Sequence, residues 1–153
     1  MFSIGSSKYA PGTVASFVTS LIFILFYVIE INILYLIVSI IFIFIYSVFA
    51  IDAHPNLFDQ VDSKEIVIDE LVGQSIPLLT IFSLIQKNNI GNFLLYTFIG
   101  FIFFRFFDIV KPYPINKVDK QMKNGFGVML DDIIAGVYSS LLLLIIILFL
   151  YYY

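Results

Sequence analysis

The sequence predicts an all-α fold: an integral membrane helical bundle of four to five hydrophobic helices, with its polar site on the cytoplasmic face. Three observations predict it. Of the 153 residues, 61% are apolar and 12% charged, and the mean hydropathy is +1.02, whereas an ordinary soluble domain carries roughly 25% charged residues. The apolar residues come in long runs, and a membrane helix needs about 20 of them. The charges gather in a few connecting stretches. A soluble chain of this size has too much surface to hide so much Ile, Leu and Phe, and disordered chains are poor in those residues. The whole of residues 1–153 reads as one domain without a convincing internal repeat.

The elements follow in order. Residues 14–29 form a slightly short first span, and Glu30-Ile31-Asn32 is a tight hairpin tip before a second span over residues 33–50. Residues 71–85 are short and contain Gln74, Ser75 and Pro77, so this segment tilts, kinks or enters the bilayer only partly. A polar turn at residues 86–89 leads into a fourth segment over residues 91–104. Residues 115–123 form a short interfacial helix, with Ile115, Val118 and Met122 on one face and Lys117, Lys120 and Lys123 on the other. That pattern suits an anionic lipid surface. Residues 133–153 make the last span, and Tyr151, Tyr152 and Tyr153 suit an aromatic belt at the outer interface. Residues 1–7 lack the basic start of a cleavable signal, so the first segment is retained.

With five spans, residues 1–13, 51–70 and 105–132 share one face. That face holds Lys8, Lys64, Arg105, Lys111, Lys117, Lys120 and Lys123, against Lys87 alone opposite. The positive-inside rule makes it cytoplasmic. Every acidic residue except Glu30 falls there too. The chain has no cysteine, which removes disulfides and thiolate chemistry. Its one histidine, His54, cannot build a multi-histidine metal centre and flanks a helix end. No basic stripe with exposed aromatics supports nucleic-acid binding, and no protein partner is implied.

Four constellations on the polar face carry chemistry. Lys8-Tyr9-Ala10-Pro11-Gly12-Thr13 precedes the first span. Pro11-Gly12 signals a turn and Thr13 can cap the helix, and free N–H groups at a helix start beside a lysine suit a phosphate. A membrane-flanking lysine with an ordinary cap explains the same block. The second runs from Asp62 to Gly73. In a helix, Asp62, Glu65 and Asp69 share one face, and such a row needs a cation. Hard oxygen ligands on adjacent turns suit Mg²⁺, while a dipole-favoured acidic helix start explains Asp69 or Glu70 alone.

The third constellation is Phe104-Arg105-Phe106-Phe107-Asp108-Ile109-Val110-Lys111-Pro112-Tyr113-Pro114. Asp108 sits near a helix C-terminus, where a carboxylate is disfavoured, so Arg105 or a metal must hold it. Arg105 presents a fork matched to phosphate and Lys111 a point charge. A private Arg105–Asp108 pair with flanking positive charge is the plainer account. The fourth, residues 124–136, opens the last span with Asp131 and Asp132 where one carboxylate would suffice as a cap. Gly125 and Gly127 let backbone approach a ligand, and Ala135 and Gly136 permit close helix packing.

In order, Lys-x-x-Pro-Gly-Thr, Glu-Ile-Val-x-Asp-Glu-x-x-Gly, Phe-Arg-x-Phe-Asp-x-x-Lys-Pro-x-Pro and Gly-x-Gly-x-Met-x-Asp-Asp-x-x-Ala-Gly resemble the phosphatidylglycerophosphatase A family from Lys8 to Gly136. The chain departs from the usual pattern at Gly5-Ser6-Ser7 and at Asn124-Gly125, neither of which alters an ionisable group. The resemblance implies an Mg²⁺-dependent phosphatase of the bacterial cytoplasmic membrane that converts phosphatidylglycerophosphate, an anionic phospholipid, to phosphatidylglycerol. It implies a site formed by Lys8, Asp62, Glu65, Asp69, Glu70, Arg105, Asp108, Lys111, Asp131 and Asp132.

The expected assignment puts Mg²⁺ on Asp69, Glu70, Asp131 and Asp132. It puts the phosphate against Lys8, Thr13, Arg105, Lys111 and Gly127, and gives catalytic roles to Asp108, Asp69 and Arg105. Asp62 and Glu65 are further acidic candidates. Water attack and an acyl-phosphate intermediate both remain open at this stage. Two alternatives stand beside it: a lipid-headgroup transferase, whose usual aspartate pattern is absent, and a channel or scaffold, which fits poorly with spans so aliphatic.

Overall fold

The computed structural model describes residues 10–53, 67–85, 89–122 and 124–152, and every element among them is a helix. These are α1 (Pro11–Val28), α2 (Ile33–Asp52), α3 (Ile68–Leu84), α4 (Ile90–Val110), α5 (Ile115–Gln121) and α6 (Gly125–Tyr152). Four helical stretches are long and apolar enough to cross a membrane: Pro11–Val28, Ile33–Asp52, Ile90–Val110 and Gly125–Leu150. Their outer faces expose large apolar side chains, among them Tyr35, Phe42 and Phe49 of α2, Phe98 of α4, and Leu141 and Ile145 of α6. Apolar surface on that scale calls for lipid rather than water.

α3 is the fifth hydrophobic helix and the shortest of the five, at 17 residues, or about 26 Å at 1.5 Å per residue. It lies at the centre of the bundle, packed against α1, α2, α4 and α6. Its sequence explains the position. Gln74, Ser75 and Pro77 are all buried, and polar or helix-breaking residues at membrane depth are tolerated where protein surrounds them. Ser75 Oγ donates to the Leu71 carbonyl at 2.7 Å, and Gln74 Nε2 donates to Ser20 Oγ of α1 at 3.3 Å.

Glycines set the helix spacings. Gly73 of α3 lies against α6 so tightly that a Cβ there would sit 2.7 Å from the Asp132 carbonyl oxygen. A Cβ on Gly136 of α6 would in turn run into the Gly73 carbonyl. Small residues at crossing points allow this approach, as expected for Gly136. Between α4 and α6, Ser139 Oγ donates to the Gly100 carbonyl at 3.2 Å. At the end of the bundle away from the charges, Tyr27 stacks on Phe93 at 3.8 Å, with Phe82 edge-on to Tyr27.

Several helix boundaries differ from the sequence expectation, among them the start of α3 at Ile68 rather than residue 71. α1 starts at Pro11, whose fixed φ and missing N–H suit the first helical position. Its N-cap is Ala10, with no side-chain cap, so Pro11-Gly12 is not a separate turn and Thr13 lies within the first turn without capping it. α4 continues to Val110, because Arg105 and Asp108 neutralise each other at 2.7 Å rather than ending the apolar run. α6 starts at Gly125, eight residues before 133, and Asp131 and Asp132 therefore sit inside it rather than at its start. Its first amides are satisfied by Asp52 Oδ1, which accepts the Gly125 N–H at 2.6 Å, and by Asn124 Oδ1, which accepts that of Gly127 at 2.8 Å.

The starts of α1, α3 and α6 and the ends of α2 and α4 meet at one end of the bundle. Contacts tie them there: Asp52 to Gly125, Lys111 to Asp131, and Gly12 against Glu70. Among the described residues this end holds Asp52, Asp69, Glu70, Arg105, Asp108, Lys111, Lys117, Asp119, Lys120, Asp131 and Asp132, and Glu30 alone lies in the opposite turn.

Candidate active site

The site is built where α3, α4 and α6 converge on the start of α1. Asp69 and Glu70 lie in the first turn of α3, and Asp132 of α6 is brought alongside them by the Gly73–Gly136 crossing. One carboxylate oxygen from each of Asp69, Glu70 and Asp132 lies within 4.8 Å of the others. Glu70 Oε2 and Asp132 Oδ2 are buried without a hydrogen-bond partner, an expensive arrangement for anionic oxygens. Asp132 also lies in the field of Asp69, Asp108, Asp131 and Glu70. Clustered carboxylates with orphaned oxygens are what a hard divalent cation requires, so the residues present fit Mg²⁺.

Asp131 goes elsewhere. Its Oδ2 accepts from Lys111 Nζ at 2.7 Å, and its Oδ1 accepts the Asp132 N–H at 3.1 Å. Adjacent helical residues point about 100° apart, so the two neighbouring aspartates serve different partners. Lys111, expected at the phosphate, is shared between Asp131 and Asp119, whose Oδ1 it meets at 2.7 Å. Burial works against the lysine's charge, but the two carboxylates outweigh it and raise its pKa above the ordinary lysine value. The backbone of Lys111 is left-handed, with φ 44° and ψ 60°, a conformation that costs a residue with a side chain about 1–2 kcal/mol.

Arg105 supplies the cationic side. Its Nη1 lies 2.7 Å from Asp108 Oδ2, while Nε and Nη1 are buried without a well-aligned hydrogen bond. Those N–H groups form part of a planar fork suited to phosphate oxygens. Gly12 makes the approach to α1 workable, since a Cβ there would collide with the Glu70 carboxylate and lie 3.2 Å from Arg105 Nη1. Gly12, from the first constellation, thus belongs to the same site as the second and third.

Other expected residues are placed differently. Thr13 is half-buried in the first turn of α1. The Gly127 amide, offered to a phosphate by the sequence, is taken by Asn124, and a side chain on Gly127 would meet the Met122 carbonyl. Lys8, Asp62 and Glu65 lie outside the described residues, as do His54, Lys64, Lys87, Lys123 and Tyr153. Two residues escape the sequence reading: Asp52, which caps α6, and Asp119, which holds Lys111. For Asp119 the available signal is a single acid between Lys117 and Lys120 on an otherwise basic helix.

The profile of the family described as PgpA, phosphatidylglycerophosphatase A, matches residues 1–147. A putative phosphatidylinositol-3-phosphatase of Bacteroides thetaiotaomicron is 34% identical over 141 residues, covering 90% of this chain and 84% of that protein. The phosphatidylglycerophosphatase A of Haemophilus influenzae is 42% identical over 78 residues, 51% of this chain and 43% of its own. That of Escherichia coli is 37% identical over 79 residues, 52% of this chain and 41% of its own. No solved structure matches. Fold, site and relatives together define a membrane-helical phosphoric monoester hydrolase. The chain belongs to the phosphatidylglycerophosphatase A family.

Proposed function

We propose that the protein is an Mg²⁺-dependent lipid phosphatase that hydrolyses the terminal phosphomonoester of phosphatidylglycerophosphate at the cytoplasmic face of a bacterial inner membrane. The observation that carries this reading is the Asp69–Glu70–Asp132 cluster beside an Arg105 whose Nε is buried without a hydrogen-bond partner and whose Nη1 pairs with Asp108. Asp69, Glu70 and Asp132 would hold the ion, which when bound offsets phosphate charge and acidifies a coordinated water. Arg105 binds the phosphoryl oxygens and stabilises the charge they gain as transfer proceeds. Asp108 fixes the guanidinium from 2.7 Å and accepts the proton of the attacking water. Water oxygen bonds to phosphorus as the phosphorus–oxygen bond to glycerol breaks, and the glycerol oxygen recovers a proton. Free phosphate and phosphatidylglycerol leave.

A second substrate reading has one specific support. The Bacteroides relative that aligns over most of this chain carries a name specifying a 3-phosphorylated phosphatidylinositol. Both substrates are membrane-anchored phosphomonoesters. The test is phosphate release by purified protein from vesicles containing phosphatidylglycerophosphate, phosphatidylinositol 3-phosphate or phosphatidic acid, with and without Mg²⁺. Fastest release from phosphatidylglycerophosphate, dependent on Mg²⁺, is expected. Preference for the inositol lipid would replace the substrate, undiminished release in chelator would remove the metal, and ion flux without release would favour a channel.

Orientation is supported by charge. Among the described residues, Arg105, Lys111, Lys117 and Lys120 all lie at the site end, in keeping with a cytoplasmic face. Because the natural chain has no cysteine, a Lys117→Cys protein reports its own side. An impermeant thiol reagent should label it in inverted vesicles and not in intact cells.

A further inference from the structure

We infer that Asp119 is a positioning residue: it holds Lys111 against Asp131 and thereby fixes the segment of α6 that presents Asp132. Its catalytic consequence rests on the phosphatase reading above; its structural content does not.

The contacts form an unbroken series. Asp119 Oδ1 and Asp131 Oδ2 each lie 2.7 Å from Lys111 Nζ. Asp131 Oδ1 accepts the N–H of Asp132 at 3.1 Å. Both oxygens of Asp131 are therefore engaged by partners outside the neighbouring three-carboxylate cluster. The ammonium is the element holding Asp131 in this arrangement, and Lys111 follows a left-handed turn that has no intrinsic preference for the observed geometry. Asp119 supplies the second anchor.

Asp119 is well placed for this role because α5 is itself tied down. The helix has only seven residues, too few to be stable alone. Ile115 is completely buried, in a cluster with Phe104 and Ala135, and Tyr138 of α6 donates its hydroxyl to the Tyr113 carbonyl at 3.1 Å. These contacts fix the start of α5, whereas Asp119 lies a turn later and adds the ion pair that ties the later turn to α6. Lys117 and Lys120 on either side are exposed. The acid is therefore the one charge of α5 among the described residues that is paired to the site wall.

Asp119→Asn and Asp119→Glu test the idea by two readouts. The first is the distance distribution between spin labels on Lys120→Cys of α5 and Tyr35→Cys of α2, in a chain with no other thiol. It should broaden in Asp119→Asn and Lys111→Met and return toward the parent width in Asp119→Glu. The second is kinetic. Partners that orient a metal ligand typically matter by about 10–100-fold, so Asp119→Asn should lower kcat about tenfold with KM within about twofold, and Asp119→Glu should recover most of the loss. Unchanged distances in both Asp119→Asn and Lys111→Met would overturn the inference whether or not the parent releases phosphate. Broadening with parental kcat would overturn the catalytic role. A parent inactive on every phospholipid tried would instead defeat the phosphatase reading and leave the distance test to decide Asp119.

Discussion

Gly12 at the start of α1 faces Glu70 at the start of α3 with no room for a methyl group between them, since a Cβ on Gly12 would collide with the Glu70 carboxylate. The obstacle is the end of a flexible side chain, not backbone. Gly12→Ala should therefore fold, with alanine's better helix propensity, up to about 1 kcal/mol, offsetting local crowding. It should nevertheless displace Glu70 and Arg105 and cut phosphate release about tenfold or more. Thermal unfolding measured beside activity checks both halves; an active Gly12→Ala enzyme would show that this approach is dispensable.

The Gly73–Gly136 crossing meets backbone instead, so Gly73→Ala and Gly136→Ala have no easy relief. Each should lose about 1–3 kcal/mol from overpacking and should lose activity as Asp132 moves away from Asp69 and Glu70. Denaturation in detergent micelles is the measurement. Parental stability in both variants would mean the helices are not seated as closely as described.

The division between Asp131 and Asp132 is testable by metal binding. A ligand that binds the folded state alone stabilises it, by about 2.7 kcal/mol at a hundredfold excess over Kd. Mg²⁺ should raise the Tm of the parent, and Asp132→Asn and Glu70→Gln should abolish that rise. Asp131→Asn should keep part of it because Asp131 is bonded to Lys111. Equal loss in Asp131→Asn and Asp132→Asn would return Asp131 to the ligand set.

Much of this fold is legible in the sequence, and so is the gathering of Asp69, Glu70, Arg105, Asp108 and Asp132 at one end of the bundle, because apolar runs mark the helices and paired charges stand out against them. What is not legible depends on contacts between distant segments. The start of α6 reads as a loop because Gly125-Phe126-Gly127 is glycine-rich, yet Asp52, 73 residues away, satisfies its first amide. The roles of Asp131 and Asp132 are a matter of helical rotation relative to neighbours that only the folded chain supplies. Asp119 has the look of an ordinary surface acid until the fold brings Lys111 beside it.

Arg105→Lys separates charge from shape. Lysine can retain attraction to Asp108 but has no planar fork, and Arg105 presents an Nε without a hydrogen-bond partner beside the Nη1 that pairs with Asp108. Activity should fall at least about tenfold while the fold persists. Parental kcat/KM in Arg105→Lys would remove the fork from the account.

The pH dependence of the Lys111 contribution has a definite sign. A lysine whose pKa is raised on folding contributes stability that is fully present below its unfolded value, 10.5, and is lost as pH rises through the still higher folded value. The Tm difference between the parent and Lys111→Met should therefore stay constant from about pH 7 to 9. A difference that fades within that range would contradict the two-carboxylate setting of Lys111.

Because the reactive groups cluster where the helices begin and end, the enzyme and an acyl-chain-bearing substrate would meet by sliding within the same sheet of lipid. The relevant concentration is then a surface density. Diluting mixed micelles with inert detergent at fixed total substrate should slow turnover, whereas adding buffer at fixed micelle composition should leave each enzyme's rate nearly untouched.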